Sequence, residues 1–294
     1  MNEPVEVWRL PAHEFAAGRR APGWTVGPAG ELAVLLVSED GPAAWSRGPG
    51  RGLPYDAELV TVGPGGERRS GLSDVGVRPD HLALLPGGRT LVACAGLEGA
   101  PGGWEHNAVV HGPDGRPARE LTLGHDIQAL VTDRDGRIWM AFGDEGVYGD
   151  HPASQAGLLG TDAAGRTVWS PRRGELPGYP LEGLAGATEG RAVWLAWYPD
   201  SRGSHLTRID PSTGTSSSLR LPVRLPVGFA IDGRRAVFLL GSGELVWCEL
   251  TGKEWRERRR ERLRVPGELD RGRAFGRDGV LRFRSGNGWY RVVA

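Results

Sequence analysis

"HDIQALVTDRDGRIWMAFGDEGVYGD", residues 125–150, decides the fold. Apolar residues run at strand length from Ile127 to Thr132 and again from Ile138 to Phe142, with Asp135-Gly136 as a tight reversal between them. An acidic segment bearing Tyr148 follows the second run. The same apolar run, glycine turn and apolar run recurs in "WTVGPAGELAVLLV" from Trp24, "HLALLPGGRTLVAC" from His81 and "EGLAGATEGRAVWLAWY" from Glu182. It returns in "VGFAIDGRRAVFLL" from Val227 and "RAFGRDGVLRF" from Arg273. The pivots are Gly30, Gly88, Gly136, Gly190, Gly233 and Gly279. A strand-and-turn unit repeating every ~40–60 residues is the mark of a propeller.

Each unit continues into a second hairpin, as in "AVVHGPDGRPARELTL", "GLLGTDAAGRTVWS", "LTRIDPSTGTSSSLRL" and "ELVWCELTGKEWRERR". Four strands per unit, stacked radially, bury one another's faces and leave short edges. The expectation is an all-β, six-bladed β-propeller with four-stranded blades, one domain over residues 1–294. Its blades fall at about 20–64, 78–123, 125–170, 180–222, 226–265 and 270–294. The last unit is one strand short, and residues 4–10, "PVEVWRL", supply the closing strand. An open pair of sandwiched sheets would not account for a period sustained along the whole chain.

Bulk composition agrees. The 47 Gly and 22 Pro are spread through the 294 residues, and 11 Trp argue against disorder. Acidic and basic residues balance at 36 each, so no global field draws the chain to nucleic acid or an anionic membrane. Lys253 is the only lysine, a bias that with abundant Ala, Gly and Pro points to a GC-rich, actinobacterial genome. The start "MNEPVEVWRLPAHEF" has no basic region followed by an apolar run, and no stretch is long and apolar enough for a membrane helix. A cytoplasmic protein is expected, with Cys94 and Cys248 as buried free thiols.

The run "DGRIWMAFGDEGVYGD" resembles the blade motif of NHL-type and streptogramin-lyase-like propellers, and Asp126 to Gly149 is similar to uncharacterised actinobacterial six-bladed propellers. The resemblance implies the fold and carries no activity with it. Calcium-dependent propeller lactonases draw asparagine ligands from inner strands. Here Asn2, Asn107 and Asn287 are the only asparagines, none within an inner-strand run.

In a propeller, the segment leading into each innermost strand and the loop between the second and third strands emerge on one face. That places the candidate catalytic residues His125, Asp126 and Glu145 at the channel mouth. Candidate ligand-binding residues join them there: His81, Trp104, Glu105, His106, Gln128, Asp144, Tyr148, Glu182, Tyr198, Arg202 and Arg271. Asp200, His205 and Asp270 lie in the same segments. The bland reading of each stays open: Asp126 as a turn cap, the loop histidines as solvated, and "DEG" at 144–146 as a bulge with Gly146 at positive φ. The arginine run Glu254–Arg264 reads as a charged outer edge strand.

The expected function is binding of a small polar or aromatic ligand at this mouth, walled by the long loops of the second to fourth blades. One alternative is a hydrolase or lyase using His125 or His106 as base, a carboxylate as partner and Arg202 or Arg271 against developing negative charge. Another is a scaffold that binds protein through the same aromatics. No cofactor is expected; a divalent cation on the carboxylates is the open variant. No nucleic-acid or membrane partner is expected.

Overall fold

The computed structural model describes residues 3–39, 51–97, 99–100, 103–199 and 203–294. The chain opens with β1 (Val5–Arg9) and the short helix α1 (Ala12–Ala16), then β2 (Arg20–Val26), β3 (Leu32–Val37), β4 (Arg51–Gly63) and β5 (Gly66–Val77). Next come β6 (His81–Leu85), β7 (Arg89–Ala93), a two-residue pair β8 (Gly99–Ala100) and β9 (Gly103–Trp104), β10 (Ala108–His111) and β11 (Pro117–Leu121). The opening stretch of sequence becomes β12 (Ile127–Thr132) and β13 (Ile138–Phe142), followed by α2 (Asp144–Val147) and α3 (Pro152–Gln155). Then follow β14 (Leu158–Thr161), β15 (Thr167–Trp169), β16 (Glu182–Glu189), β17 (Ala192–Tyr198), β18 (His205–Ile209) and β19 (Ser216–Arg220). The chain ends with β20 (Pro226–Asp232), β21 (Arg235–Leu240), β22 (Glu244–Thr251), β23 (Glu254–Arg262), β24 (Leu269–Arg277), β25 (Val280–Ser285) and β26 (Gly288–Val293).

Consecutive strands pair antiparallel into four-stranded sheets, β2–β5, β12–β15 and β20–β23, and β6, β7, β10 and β11 form another. The remaining strands make an eight-stranded sheet in the order β1-β26-β25-β24-β16-β17-β18-β19. Its two halves are joined by a short parallel contact, Ala187 to Gly276 and Thr188 to Arg277, extended by the Asp278 N–H to the Thr188 carbonyl and the Gly190 N–H to Asp278 Oδ1. The first strands of successive sheets neighbour one another, β2 with β6, β6 with β12, β12 with β16, β16 with β20, β20 with β24 and β24 with β2. Four-stranded antiparallel sheets stacked around their first strands are the architecture of the β-propeller class.

The packing explains why these strands are apolar on both faces. Every residue of β3 (LAVLLV) and of β13 (IWMAF) is buried. Each core cluster lies between two sheets: Leu85, Leu91 and Val110 of one sheet meet Leu130, Met140 and Phe142 of the next. Trp139 and Trp169 face Val193, Leu195 and Trp197 in the same way. A sheet sandwiched between two others has no solvated face except at its outer strand. The outer β23 accordingly mixes arginines with glutamates, holding the charged run where it blunts an exposed edge.

The turns follow one scheme. In Gly27–Gly30, Gly112–Gly115, Asp133–Gly136 and Asp162–Gly165 the last glycine donates its N–H to the carbonyl three residues back. That glycine then takes positive φ, between 77° and 83°. Asp133, not Asp135, is the hub of the opening turn. Its buried carboxylate accepts the N–H of Asp135 (2.9 Å), the N–H of Arg137 (3.0 Å) and the indole N–H of Trp139 (3.0 Å).

Some boundaries depart from expectation. The fourth strand of the first sheet, β5, runs on to Val77, well past residue 64. The segment after β13 is not a plain loop but two short helices. The bulge expected at 144–146 is not there, since Gly146 lies inside α2 and a bulge occurs instead between Ile127 and Ala129.

Candidate functional site

Asp126 immediately precedes β12 and takes a left-handed conformation, φ 59°, which aspartate tolerates better than most residues. Its carbonyl accepts the Gly143 N–H (2.8 Å), and its Oδ1 accepts the amide N–H of Gln128 (2.6 Å). The fit around it depends on glycine. A Cβ at Gly143 would lie 2.1 Å from Asp126 Oδ2, and one at Gly146 would lie 2.1 Å from the His125 carbonyl oxygen. The repeat therefore presses the Asp144–Val147 helix directly against the segment leading into β12.

The carboxylates gather on this side. The Asp144 N–H donates to Glu182 Oε2 at 3.2 Å, tying α2 to the start of β16. Burial raises the pKa of Glu182, and the charges of Asp126, Asp144 and Glu145 push the same way against the one backbone bond that lowers it. Tyr198 sits opposite Glu182 in the β16–β17 register, and burial followed by the Glu182 and Asp144 charges raises its pKa. Tyr148 stands 72% exposed.

His125 is held rigidly. Its backbone N–H donates to Ser154 Oγ (2.6 Å), and its Nδ1 accepts the Leu97 N–H (3.0 Å). With Nδ1 accepting, the neutral ring carries its proton on Nε2, which lies 3.9 Å from Glu145 Oε2. The ring is thus set as a donor toward the carboxylate. His151, not singled out in the sequence, lies near it: its Nδ1 is buried without a partner, and burial and then His125 lower its pKa. The exposed Trp104 packs edge-on against His151 at 5.2 Å. The half-buried Glu105 accepts the Thr122 hydroxyl through its carbonyl, and the exposed His106 meets Thr122 Oγ1 at 3.0 Å. Asn107 is structural, donating to the carbonyls of Cys94, Gly96 and Gly124 and accepting the Leu123 N–H. His205 stacks on Trp197 at 5.0 Å.

The opposite wall is basic. His81, the first residue of β6, is buried and donates from Nε2 to the Ile127 carbonyl at 2.7 Å. Burial, then the Arg273 charge, drives its pKa down to about 3. Arg273 enters the channel from β24 and makes no hydrogen bond or ion pair with any described residue. Burial lowers its pKa while Asp80 and Asp270 oppose the shift. Asp80 is engaged elsewhere, by Arg78 at 2.8 Å and by the Ala95 N–H and the Cys94 thiol. Arg202, Asp200 and the Arg271 side chain lie outside the described residues.

A cavity of about 20 Å³ in the channel is lined by His81, Gln128, Leu184, Val227, Arg273 and Phe275. That is room for about one water. The cavity narrows the channel at the level of Gln128 and Arg273. Among the described residues no three His, Cys, Asp or Glu side chains are arranged to hold a metal ion. Both cysteines are free and buried, and burial pushes the Cys94 thiol up to about 11 and the Cys248 thiol up to about 12.

Sequence reasoning missed Arg273. The signal was present: Arg273 and Arg277 flank Phe275 at two-residue spacing, so all three share one face of an otherwise apolar inner strand.

No family model matches the chain, and no curated protein matches its sequence. Solved structures do. A chain from the crystal structure of the mitotic checkpoint complex is similar over 100% of this chain and 93% of its own, at 10% identity and TM-score 0.52. YCF48, in a structure bound to D1 peptide, is similar over 94% of this chain and 78% of its own, at 13% identity and TM-score 0.51. At such identity the likeness is one of fold, and the fold is that of the β-propellers.

Proposed function

We propose that residues 1–294 form one six-bladed propeller whose channel mouth binds a small polar molecule carrying both a positive and a negative group. The count of six is supported by the succession of neighbouring first strands, from β2 through β6, β12, β16 and β20 to β24 and back. The binding reading rests on one observation. Gln128, hydrogen-bonded to Asp126 on the acidic wall, and the unpaired Arg273 line the same narrow cavity. Opposite charges across a mouth that is closed below would orient a zwitterion, its cationic end toward Asp126 and Glu182 and its anionic end toward Arg273. A larger cleft of about 750 Å³ beside Arg172, Arg173 and Glu175 lies away from the channel, between β15 and β19.

A thermal-shift screen of amino acids, betaines and small peptides tests it. A true ligand at about a hundred times its Kd stabilises the wild type by ~2.7 kcal/mol. Both Glu182→Gln and Arg273→Gln should lose most of that gain. If either variant keeps it in full, the two walls do not act together and the reading is wrong.

A second reading, hydrolase or lyase chemistry, draws on Glu182. A carboxyl that keeps its proton to higher pH is suited to act as a general acid, with His125, Asp126 and Glu145 around it. Under it, Glu182→Gln would abolish turnover of the screened ligand while the ligand still bound.

A further inference from the structure

The other end of the channel carries a concentration of charge that the mouth does not use. Strands β24, β25 and β26 place Arg282 directly opposite Arg291 and beside Phe275, two residues from Arg277. Cross-strand partners and alternate residues share a face, so all three arginines project from one side of the sheet. Like charges directly opposite one another on adjacent strands repel. Here the repulsion is partly buried: Arg282 is 8% exposed, and burial, then Arg291 and Arg277, bring its pKa down to about 10.

Their partners do not neutralise them. Arg277 donates to the carbonyls of Pro28 (3.3 Å) and Thr132, and Arg282 Nη2 donates to the Gly30 carbonyl (2.6 Å). Arg282 Nε is buried with no hydrogen-bond partner among the described residues. Arg291 is exposed and makes no hydrogen bond or ion pair with a described residue. Of the nearby carboxylates, Glu6 is engaged by Arg9 and Asp278 by Arg134 at 3.1 Å. Glu31 alone lacks an ion pair, and it accepts the Ala29 N–H. Three guanidinium groups facing one such carboxylate leave an excess of two positive charges. Together with the paired Glu6 and Asp278 they line an open cleft of about 530 Å³ between this sheet and β2–β5, with Val5, Val7 and Val62 as its apolar side.

We propose that this cleft binds a phosphoryl dianion, either inorganic phosphate or the phosphate group of a small metabolite, gripped by Arg282 and Arg291 and bordered by Arg277. A dianion matches the excess charge and turns the Arg282–Arg291 repulsion into a shared attraction. Arginine forks suit phosphate oxygens in particular. The site stands apart from the mouth and does not depend on what binds there.

The experiment is titration calorimetry and thermal denaturation of the whole chain with sodium phosphate, with sodium chloride at matched ionic strength, and with glycerol phosphate. Phosphate should bind saturably and raise Tm where chloride does not. Tighter binding of glycerol phosphate would identify a phosphorylated metabolite as the occupant, and equal or weaker binding would identify free phosphate. Arg291→Gln, at an exposed position that leaves folding intact, should weaken phosphate by about tenfold or more, the loss of one charge-assisted contact. The same variant without phosphate should melt no lower than the wild type, since a like-charge pair has been relieved. Arg282→Gln, checked for folding by circular dichroism, should bind no phosphate. Equal responses to phosphate and chloride, or full phosphate affinity in Arg291→Gln, would overturn the proposal.

Discussion

At the scale of single residues, His81 shows how burial turns an ordinary side chain into a stability switch. Its imidazole stays neutral because it has lost water and sits beside Arg273, which together outweigh the Ile127 carbonyl bond and the Asp80 charge that favour the protonated ring. Its folded pKa, about 3, lies below the ordinary 6.5, so in the window between them the unfolded chain binds the extra proton. The stability this residue supports is complete above pH 6.5 and is lost as the pH falls toward 3. His81→Gln keeps an N–H donor and removes the titration. Between pH 7 and pH 5 it should lose about 2 kcal/mol less stability than the wild type, read from urea midpoints. Equal losses would mean that His81 takes up its proton at the same pH in the folded and unfolded chain. The sequence shows this histidine at the head of an inner strand; only the neighbouring sheet decides that it is sealed.

At the scale of the element, the β12–β13 hairpin depends on one carboxylate. Asp133 closes the turn through two backbone N–H groups and anchors Trp139 through a third bond. Trp139 then lies flat on Gly160, where a Cβ would come within 2.6 Å of its ring. Asp133→Ala removes three bonds at a buried site and should cost roughly 3 kcal/mol, at about 1 kcal/mol each. Asp135→Ala, at the exposed turn position, should stay within about 0.5 kcal/mol. A denaturant series that ranks them the other way would show the turn to be held from Asp135. Sequence alone located this turn at Asp135-Gly136 but not the role of Asp133, because which of two nearby acids points inward depends on the indole it must meet.

At the scale of the whole molecule, β1 joins the start of the chain to its end. Val5 pairs with Arg291 and Arg9 with Gly288, and Trp8 packs on Trp289 at 5.1 Å while its indole donates to Glu67 in β5. Trp8 therefore touches strands from both ends of the sequence and from the first sheet. Trp8→Ala should lower global stability by ~3 kcal/mol or more, as for a buried large-to-small change, with one cooperative transition retained. If the main transition holds and only the first residues become open to protease, β1 is an appendage rather than a closure.

The sequence by itself determined the strands, their turns, the repeat and the pairing of the first strand with the last, because each depends on local chemistry: apolar runs, glycine at positive φ, a missing strand. It also brought His125, Asp126, Gln128, Asp144, Glu145 and Glu182 to one neighbourhood, since the repeat converts position along the chain into position on a face. Only the tertiary structure decided which groups lose water and which keep partners. Arg273 buried without a bonded carboxylate among the described residues, His81 held neutral, Glu182 raised by burial and its acidic neighbours and Arg282 facing Arg291 are all products of one sheet packing against the next. Desolvation and charge–charge energies depend on three-dimensional distance, which spacing along a strand does not encode.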